Sequence, residues 1–334
     1  MILELLSNYG LFLLKTLTVV ISILLILSFI INSKKNKSDG NLQITNINKD
    51  LEDLEESIKK NILSSSDFKK FIKNKKKTKK INEKKLFIID FKGNIKASGI
   101  ISLRREISGI LLAHKKGDEI LIRLENSGGT VHEHGLAASQ LKRIRDKKIP
   151  LTICVDKVAA SGGYMMACVA NKIVASPFAI IGSIGVLAQV PNFNKLLKNK
   201  GIDFEQHTAG DFKRTVTMFG ENTDKDREKL NEQLEDIHVL FKDFITSQRK
   251  NIDISKVATG EYWYGKNALD LNLIDQIMTS DEYILNMREK FNIIQVKYKP
   301  AQTLTSKFSN ASAQISKKIF NTFEQKNHDK NYFK

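Results

Sequence analysis

One serine in this sequence has the neighbours that a nucleophile needs. Ser161 lies between an apolar run, Pro150 to Val155, that predicts a buried strand and a run of mostly small and apolar residues, Gly162 to Ala170, that predicts a helix. A hydroxyl at such a turn lies at the positive end of the helix dipole, and the following N–H can face a developing oxyanion. Serine is also a common helix cap, so this segment by itself leaves both roles open.

A pair of glycines after another predicted strand could supply a second oxyanion donor. Gly128 and Gly129 follow Asn126 and Ser127 at the end of the strand-like run from Glu119 to Glu125. Glycine permits backbone conformations in which N–H groups turn toward a neighbouring strand end. We therefore expect this turn to complete an oxyanion site with the N–H that follows Ser161.

A serine hydrolase also needs a base, and the sequence offers two candidates. His207 is the one histidine between Ser161 and the helix predicted to begin near Asp224, and Lys213 follows it closely. A lysine serves as a base at neutral pH only when an apolar pocket lowers its pKa by several units and a polar group holds the amine. Ser183 is placed in the sequence to supply that polar group.

Four segments resemble the signal peptide peptidase A family of Ser-Lys proteases, and the likeness extends from the first residues to about Val296. These segments are Asp156 to Ala170, Pro177 to Asn194, His207 to Thr215 and Ala258 to Gly265. The resemblance implies that Ser161 is the nucleophile, that Lys213 is the general base and that Ser183 hydrogen-bonds the lysine. It also implies a homo-oligomer with active sites lining a bowl on the membrane, and chemistry without a metal or other cofactor.

The same resemblance assigns the oxyanion hole. It implies that the N–H of Gly162 is one donor and that the Gly-Gly turn supplies the other, where we favour Gly129 over Gly128. The family commonly has Ser-Pro before the two glycines, whereas this chain has Asn126 and Ser127. Without a proline, the sequence constrains the turn less. The absence of proline therefore affects the identity of the second oxyanion donor more than it affects the expected Ser-Lys mechanism.

Short strands and helices alternate after Lys85, which predicts an α/β fold with a parallel sheet and right-handed crossovers. The predicted strands are Leu86 to Phe91, Ile120 to Glu125, Leu151 to Val155, Ile173 to Ala175, Ile180 to Ile181 and Phe204 to Thr208. The predicted helices are Leu103 to Ala113, Val131 to Arg145, Gly162 to Ala170 and Asp224 to Arg249. The resemblance implies the same class, a Clp protease/crotonase-like ββα spiral with an N-terminal transmembrane helix.

Composition divides the 334 residues into four predicted parts. Residues 1–31 are predicted to form a membrane anchor, because Leu11 to Ile31 carries no charge except Lys15 and is long enough to cross a hydrocarbon layer of about 30 Å. The run is too long for a cleaved signal peptide, and no Ala-x-Ala site follows. Residues 32–85 are predicted as a charged juxtamembrane linker with a weak helix, 86–298 as the peptidase domain and 299–334 as a basic polar tail.

We expect a single-pass protein of the cell inner membrane. Three lysines, Lys34, Lys35 and Lys37, follow the apolar run, whereas residues 1–10 contain none, so the positive-inside rule places the C-terminal bulk in the cytoplasm. The resemblance points to the outer side of the membrane instead. The side on which the active site lies stays open at this point.

The net charge of +17 is concentrated in one segment. Lys69 to Lys85 holds ten lysines against one glutamate, and only Phe68 and Phe71 could stack on bases there, so we expect no nucleic acid partner. The lysines could attract membrane lipid headgroups, or they could simply keep the segment solvated, which is our default interpretation.

Several other residues are interpreted as structural. His132 and His134 would point about 200° apart on a helix, which argues against a metal site. Cys154 and Cys168 are predicted as buried free thiols. The aromatic cluster of Tyr262 and its neighbours is predicted to be core, and the apolar stripe from Leu230 to Phe244 to pack on the domain or on a neighbouring subunit.

The leading functional hypothesis is a membrane-bound serine endopeptidase. It would hydrolyse peptide or protein substrates such as cleaved signal peptides or membrane-protein fragments through an acyl-enzyme, with a Ser-Lys dyad. Two alternatives stay open. One is a crotonase-like acyl-CoA enzyme, which shares the spiral fold but needs no serine nucleophile, and the other is a non-catalytic membrane scaffold.

Overall fold

The computed structural model of the chain describes residues 2–34, 40–78, 83–94 and 99–300. The helices are α1 Ile2–Lys34, α2 Ile47–Ile62, α3 Ser65–Thr78, α4 Ile100–Ala113, α5 Val131–Asp146, α6 Gly162–Ala167, α7 Asn194–Asn199, α8 Asp224–Gln248, α9 Ile254–Val257, α10 Gly265–Asp270 and α11 Ser280–Met287. The strands are β1 Asn41–Asn46, β2 Lys85–Gly93, β3 Glu119–Asn126, β4 Leu151–Val155, β5 Val158–Ala160, β6 Lys172–Ala175, β7 Ile180–Gly182, β8 Tyr262–Tyr264, β9 Gln276–Ile277 and β10 Asn292–Lys299. This alternation confirms the predicted α/β class.

Within the described residues, the strands form one branched sheet. Its main path runs β1-β10-β2-β3-β4-β6-β9, and the pairs from β10 to β9 along this path are parallel. Parallel strands need crossover connections, and here helices such as α4 and α5 provide them. The carboxyl ends of the strands therefore meet at one edge of the sheet, where functional residues of α/β proteins gather.

The sheet branches where β4 ends. Strand β3 pairs with β4 as far as Arg123 and Cys154, and then pairs with β5 at Asn126 and Ala159. Strand β5 pairs in turn with β7, and β7 pairs antiparallel with β8. Strands β4 and β5 with helix α6 thus make one ββα unit, as the predicted spiral requires. The branch brings the ends of β3, β5 and β7 together.

Both faces of the main sheet are covered, which explains the nearly continuous apolar runs in its strands. One face, with Ile89 and Ile122 at its centre, packs against Leu103 of α4 and Leu141 of α5 in the larger buried cluster. The alternate residues, such as Leu121, pack against α11 and the start of α2 in a smaller cluster. Cys154 belongs to the smaller cluster and Cys168 to the larger, and both are buried free thiols as predicted.

The chain divides into two units, residues 1–41 with 299–334, and Leu42–Tyr298. In the first unit, the stretch Asn8–Ser28 of α1 is long and apolar enough to cross a membrane, judged by length and composition. Every side chain from 8 to 28 is exposed. The helix contains the predicted anchor.

The segment 32–85 is more ordered than the predicted linker, because α2, α3 and β1 form within it. Asn48 of α2 hydrogen-bonds the backbone around β10, accepting from the N–H of Ile293 at 2.6 Å and donating to Phe291 at 3.3 Å. These partners lie far away in the sequence, so the local pattern gave no sign of them. Residue 1 and residues 35–39, 79–82, 95–98 and 301–334 lie outside the described residues; of the predicted tail, 299–334, only residues 299 and 300 are described.

Two smaller predictions need correction, and a third is confirmed in part. Phe204 to Thr208 is not a strand, because this segment has no pairing partner among the described strands. The aromatic cluster is only partly core, since Trp263 packs on the larger buried cluster while Tyr262 and Tyr264 are exposed on β8. The stripe on α8 is likewise mixed, with Phe241 buried and Leu240 exposed, because the helix covers the domain with only part of its surface.

Candidate active site

Ser161 lies at a sharp turn between β5 and α6. Its φ of +52° and ψ of −120° fall in a region that non-glycine residues rarely adopt, at a cost of about 1–3 kcal/mol. Backbone hydrogen bonds hold the turn on both sides: the Ser161 N–H donates to the Gly182 carbonyl at 2.7 Å, and the Ser161 carbonyl accepts from Met165 at 3.0 Å. A strained serine between a strand and a helix is the geometry that presents the nucleophile in many hydrolases.

The Gly-Gly turn after β3 lies directly against this serine. Gly128 has a φ of +92°, and a Cβ atom placed on it would be 2.7 Å from the Cβ of Ser161 and 3.0 Å from the nitrogen of Gly162. Only glycine permits both this conformation and this close approach. The structure therefore brings together the two predicted sources of oxyanion donors.

The two glycines of this turn differ in whether their N–H groups are available. The Gly128 N–H donates to Oδ1 of Asn126 at 2.7 Å, so it already has an acceptor. Among the described residues, no acceptor takes the N–H of Gly129 or that of Gly162. This geometry agrees with the preference for Gly129 over Gly128, although the roles of both glycines stay predictions.

Ser183 occupies the position next to Ser161 in the neighbouring strand. Ala160 of β5 pairs with Gly182 of β7, and each serine is the next residue along its chain. Ser183 has a φ of +51°, its N–H donates to the Glu261 carbonyl at 2.7 Å, and its hydroxyl reaches the Gly260 carbonyl at 3.4 Å. That last contact is long for a hydroxyl donor, so a better partner can take the hydroxyl.

Among the described residues of the single chain, no hydrogen bond joins Ser161 to either candidate base. Lys213 lies in the irregular segment before α8, with its side chain exposed and, among the described residues, without a hydrogen-bond or ion-pair partner. His207 has a side chain that is 89% exposed and lies 3.4 Å from Glu205. The single chain thus does not provide the burial that a lysine base requires.

Sequence reasoning missed two residues beside the turn. Asn126 and His134 are 1% and 0% exposed and contact each other, with Nε2 of His134 3.0 Å from Oδ1 of Asn126. Asn126 stands where the resembling family has Ser, and that departure was the available signal. His134 gave no such signal, because its burial depends on α5 packing against α6.

A cavity of about 390 Å³ lies near the ends of β2, β3 and β4, and Ser161 does not line it. Several of its charged groups are paired with each other, since Arg123 makes two hydrogen bonds to Asp90 and Lys92 lies 2.9 Å from Glu125, while Asp156 accepts two hydrogen bonds from Ser280. Within the described ranges, no group of His, Cys, Asp and Glu residues could hold a metal ion.

Two family models match the sequence. Residues 4–141 match the model of the peptidase family S49 N-terminal region, and residues 143–294 match that of peptidase family S49. The chain belongs to peptidase family S49. Membership of this family supports a peptidase over the alternatives of an acyl-CoA enzyme and a non-catalytic scaffold.

Curated relatives agree with this assignment. The chain is 46% identical to a "Probable protease SohB" of Buchnera aphidicola subsp. Acyrthosiphon pisum, over 97% of this chain and 99% of the relative. It is 43% identical to a "Probable protease SohB" of Haemophilus influenzae, over 97% of both chains. Among solved structures, a membrane-bound stomatin-specific protease matches with a TM-score of 0.39 and 15% identity, over 62% of this chain and 85% of that one.

Proposed function

We propose that this peptidase is a membrane-bound serine endopeptidase whose nucleophile is Ser161. The observation that carries the proposal is the strained backbone of Ser161, with the available N–H groups of Gly162 and Gly129 beside it. A strained conformation persists only where the surrounding structure holds it, and such residues cluster at active sites. The two N–H groups would receive the negative charge that develops on the substrate carbonyl oxygen.

In the proposed reaction, the neutral amine of Lys213 takes the proton from the Ser161 hydroxyl as the oxygen attacks the peptide carbonyl. The resulting lysine ammonium gives that proton to the leaving amine as the C–N bond breaks, which leaves an acyl-enzyme on Ser161. Water then attacks the ester with the lysine again as base, and the lysine ammonium gives the proton to the Ser161 oxygen as the ester C–O bond breaks, which releases the acid product and restores the serine. The hydroxyl of Ser183, which has only a long contact to Gly260, would hold the amine.

The exposure of Lys213 indicates what the site still needs. Burial lowers the pKa of a lysine, and the single chain leaves this amine in solvent, so a second copy of the chain would cover it. The segment around Lys213 carries exposed apolar side chains suited to such an interface: Leu187, Val190, Phe193, Leu196, Phe204, Phe212, Met218 and Phe219. We therefore propose a homo-oligomer in which association completes the site.

We further propose that the substrates are peptides such as cleaved signal peptides or membrane-protein fragments, and that the enzyme resides in the inner membrane. Strand β8 carries the exposed Tyr262 and Tyr264 at the edge of the branch, where an extended peptide could add as a further strand. An anchored enzyme with such an edge suits membrane-derived peptides. The positive-inside rule and the resemblance still place the active site on opposite sides.

Turnover of a peptide substrate by the full chain in detergent micelles tests the proposal. Ser161→Ala should reduce kcat by about a thousandfold or more, since the nucleophile is lost. Ser139→Ala, on the exposed side of α5, is the matched control and should keep wild-type turnover. Equal turnover of Ser161→Ala and wild type would show that Ser161 is not the nucleophile.

A further inference from the structure

We propose that His134 is a positioning residue of the oxyanion hole, acting through Asn126 on one donor and by direct contact on the other. The inference deepens, and rests on, the proposed function of Ser161, Gly162 and Gly129. Three observations carry it: the contacts of Asn126, the contacts of His134 and the absence of proline from the turn.

Asn126 is the last residue of β3, and its amide holds the Gly-Gly turn from inside. Its Oδ1 accepts from the Gly128 N–H at 2.7 Å, which shapes the turn so that the N–H of Gly129 stays available. Among the described residues, the buried Nδ2 of the same amide has no acceptor. An unpaired buried donor is unfavourable, so the hydrogen bonds that Oδ1 accepts are the structural reason for an asparagine at this position.

The Asn126 oxygen in turn fixes the state of His134. Because Gly128 donates to Oδ1, the amide cannot be turned round without setting two donors against each other. Nε2 of His134, at 3.0 Å from that same oxygen, must therefore carry the hydrogen. The other ring nitrogen, Nδ1, lies 2.9 Å from the Thr130 carbonyl oxygen and can donate to it only when both ring nitrogens carry a hydrogen, so the contact of Nε2 with Asn126 is the one that carries the inference.

His134 also lies directly behind the other proposed donor. A Cβ atom on Gly162 would be 2.4 Å from Cγ and 2.6 Å from Cδ2 of the imidazole, so the ring packs against the bare backbone of Gly162. The next residue is equally close to the asparagine, since a Cβ on Gly163 would be 2.2 Å from the Asn126 carbonyl oxygen. One buried ring thus sets the position of both donors relative to Ser161.

The sequence of the turn explains why the Gly-Gly backbone needs to be held by Asn126 and His134. A proline before the two glycines would fix the backbone locally, and this chain has Ser127 in that place. The hydrogen bonds from Gly128 and His134 to Asn126 supply the missing constraint from the interior of the domain. Oxyanion donors are effective because they are held in place before the charge develops.

Three variants of the full chain test the inference through kcat and KM on a peptide substrate. His134→Phe keeps a ring against Gly162 but removes the donor to Asn126, and we expect kcat to fall about 10- to 100-fold with KM nearly unchanged. His134→Gln can still donate from its amide nitrogen and should recover most of kcat. His132→Phe makes the same change on the exposed side of α5 and should behave as wild type.

A wild-type kcat in folded His134→Phe, or equal losses in His134→Phe and His134→Gln, would overturn the inference while leaving the role of Ser161 intact. Nitrogen NMR of the histidine rings in the wild-type protein shows directly whether Nε2 of His134 carries a hydrogen. This test depends neither on activity nor on whether a variant folds. We expect a hydrogen on Nε2 of His134 that is protected from solvent exchange. A bare or freely exchanging Nε2 would overturn the inference, whereas an inactive wild type would count against the proposed function alone.

Discussion

Ser161 and Ser183 follow directly on two residues, Ala160 and Gly182, that pair across adjacent parallel strands. Both serines have a positive φ, +52° and +51°, and the N–H of Ser161 donates to the residue before Ser183 at 2.7 Å. Two non-glycine residues in a rare backbone conformation at neighbouring strand ends are held there by the surrounding sheet. The proposed mechanism requires these two serines to lie side by side, because Ser161 is the proposed nucleophile and the hydroxyl of Ser183 would hold the lysine amine.

The strained backbone of Ser161 predicts that glycine is a more stable replacement than alanine at this position, the reverse of the order at an ordinary helical position. Because glycine adopts positive φ without a Cβ clash, Ser161→Gly should be more stable than Ser161→Ala by about 1 kcal/mol. Chemical denaturation of both proteins in the same detergent measures the difference in free energy of unfolding.

A serine in an ordinary helical position provides the matched comparison. At Ser139, in the middle of α5, alanine should be the more stable replacement by about 1 kcal/mol over glycine. The same order at both positions would mean that the backbone of Ser161 is not strained.

Gly128→Ala should abolish turnover by displacing the turn. The added Cβ would be 2.7 Å from the Cβ of Ser161 and 2.8 Å from the backbone oxygen of Ala160, and φ is positive as well. We expect kcat to fall at least 100-fold and the free energy of unfolding to fall by about 1–3 kcal/mol.

Gly135→Ala is the control for this change. Gly135 lies within α5, and a Cβ there meets no atom within 4 Å, so the variant should keep its activity and gain up to about 1 kcal/mol of stability. Full activity in Gly128→Ala would show that the turn is not part of the site.

Mixing inactive subunits tests whether a second copy buries Lys213. Lys213→Ala should be inactive by itself, and Lys200→Ala, an exposed lysine of the preceding segment, should be fully active. If the amine acts across an interface, co-expressed Ser161→Ala and Lys213→Ala chains should form mixed assemblies in which part of the wild-type turnover returns. Absence of any recovery in verified mixed oligomers would place both groups in one chain.

Glu106 predicts a pH dependence of stability. Burial raises the pKa of its carboxyl from 4.5 to about 7, while the hydrogen bond from the Tyr298 N–H opposes this shift. The folded state therefore binds the proton more tightly than the unfolded state, and the free energy of unfolding should fall as pH rises from about 4.5 to about 7. Glu106→Gln keeps an acceptor for Tyr298 without the charge and should flatten this decline.

The size of that effect is bounded by the shift in pKa. Above pH 7, Glu106→Gln should be more stable than wild type by up to about 3 kcal/mol, as measured by denaturation across pH. Glu228→Gln, on the exposed part of α8, should follow the wild-type curve. Parallel curves for Glu106→Gln and wild type would contradict the prediction.

The sequence predicted best where an element is fixed by its own pattern. Strand β4 has the predicted limits, Leu151 and Val155, because a run that is apolar except for Thr152 lies between Pro150 and the charged Asp156. Ser161 was placed at the right turn for the same reason. The prediction of a strand from Phe204 to Thr208 was wrong, because this segment has no partner among the described strands of the sheet.

What the sequence could not supply came from contacts between distant residues. Asn48 is tied to Ile293, and β1 joins the sheet beside β10, although the residues between 32 and 85 are mostly polar. The burial of His134 depends likewise on the approach of Gly162. Such pairings depend on tertiary structure rather than on local propensity.

Mapping the site of a fluorophosphonate adduct tests the central claim most directly. After the full-length protein in detergent reacts with the probe, tandem mass spectrometry of its peptides should find the adduct on Ser161. Labelling should disappear in Ser161→Ala, and it should slow by several orders of magnitude in Lys213→Ala. An adduct on another residue, or undiminished labelling of Ser161→Ala, would contradict the account.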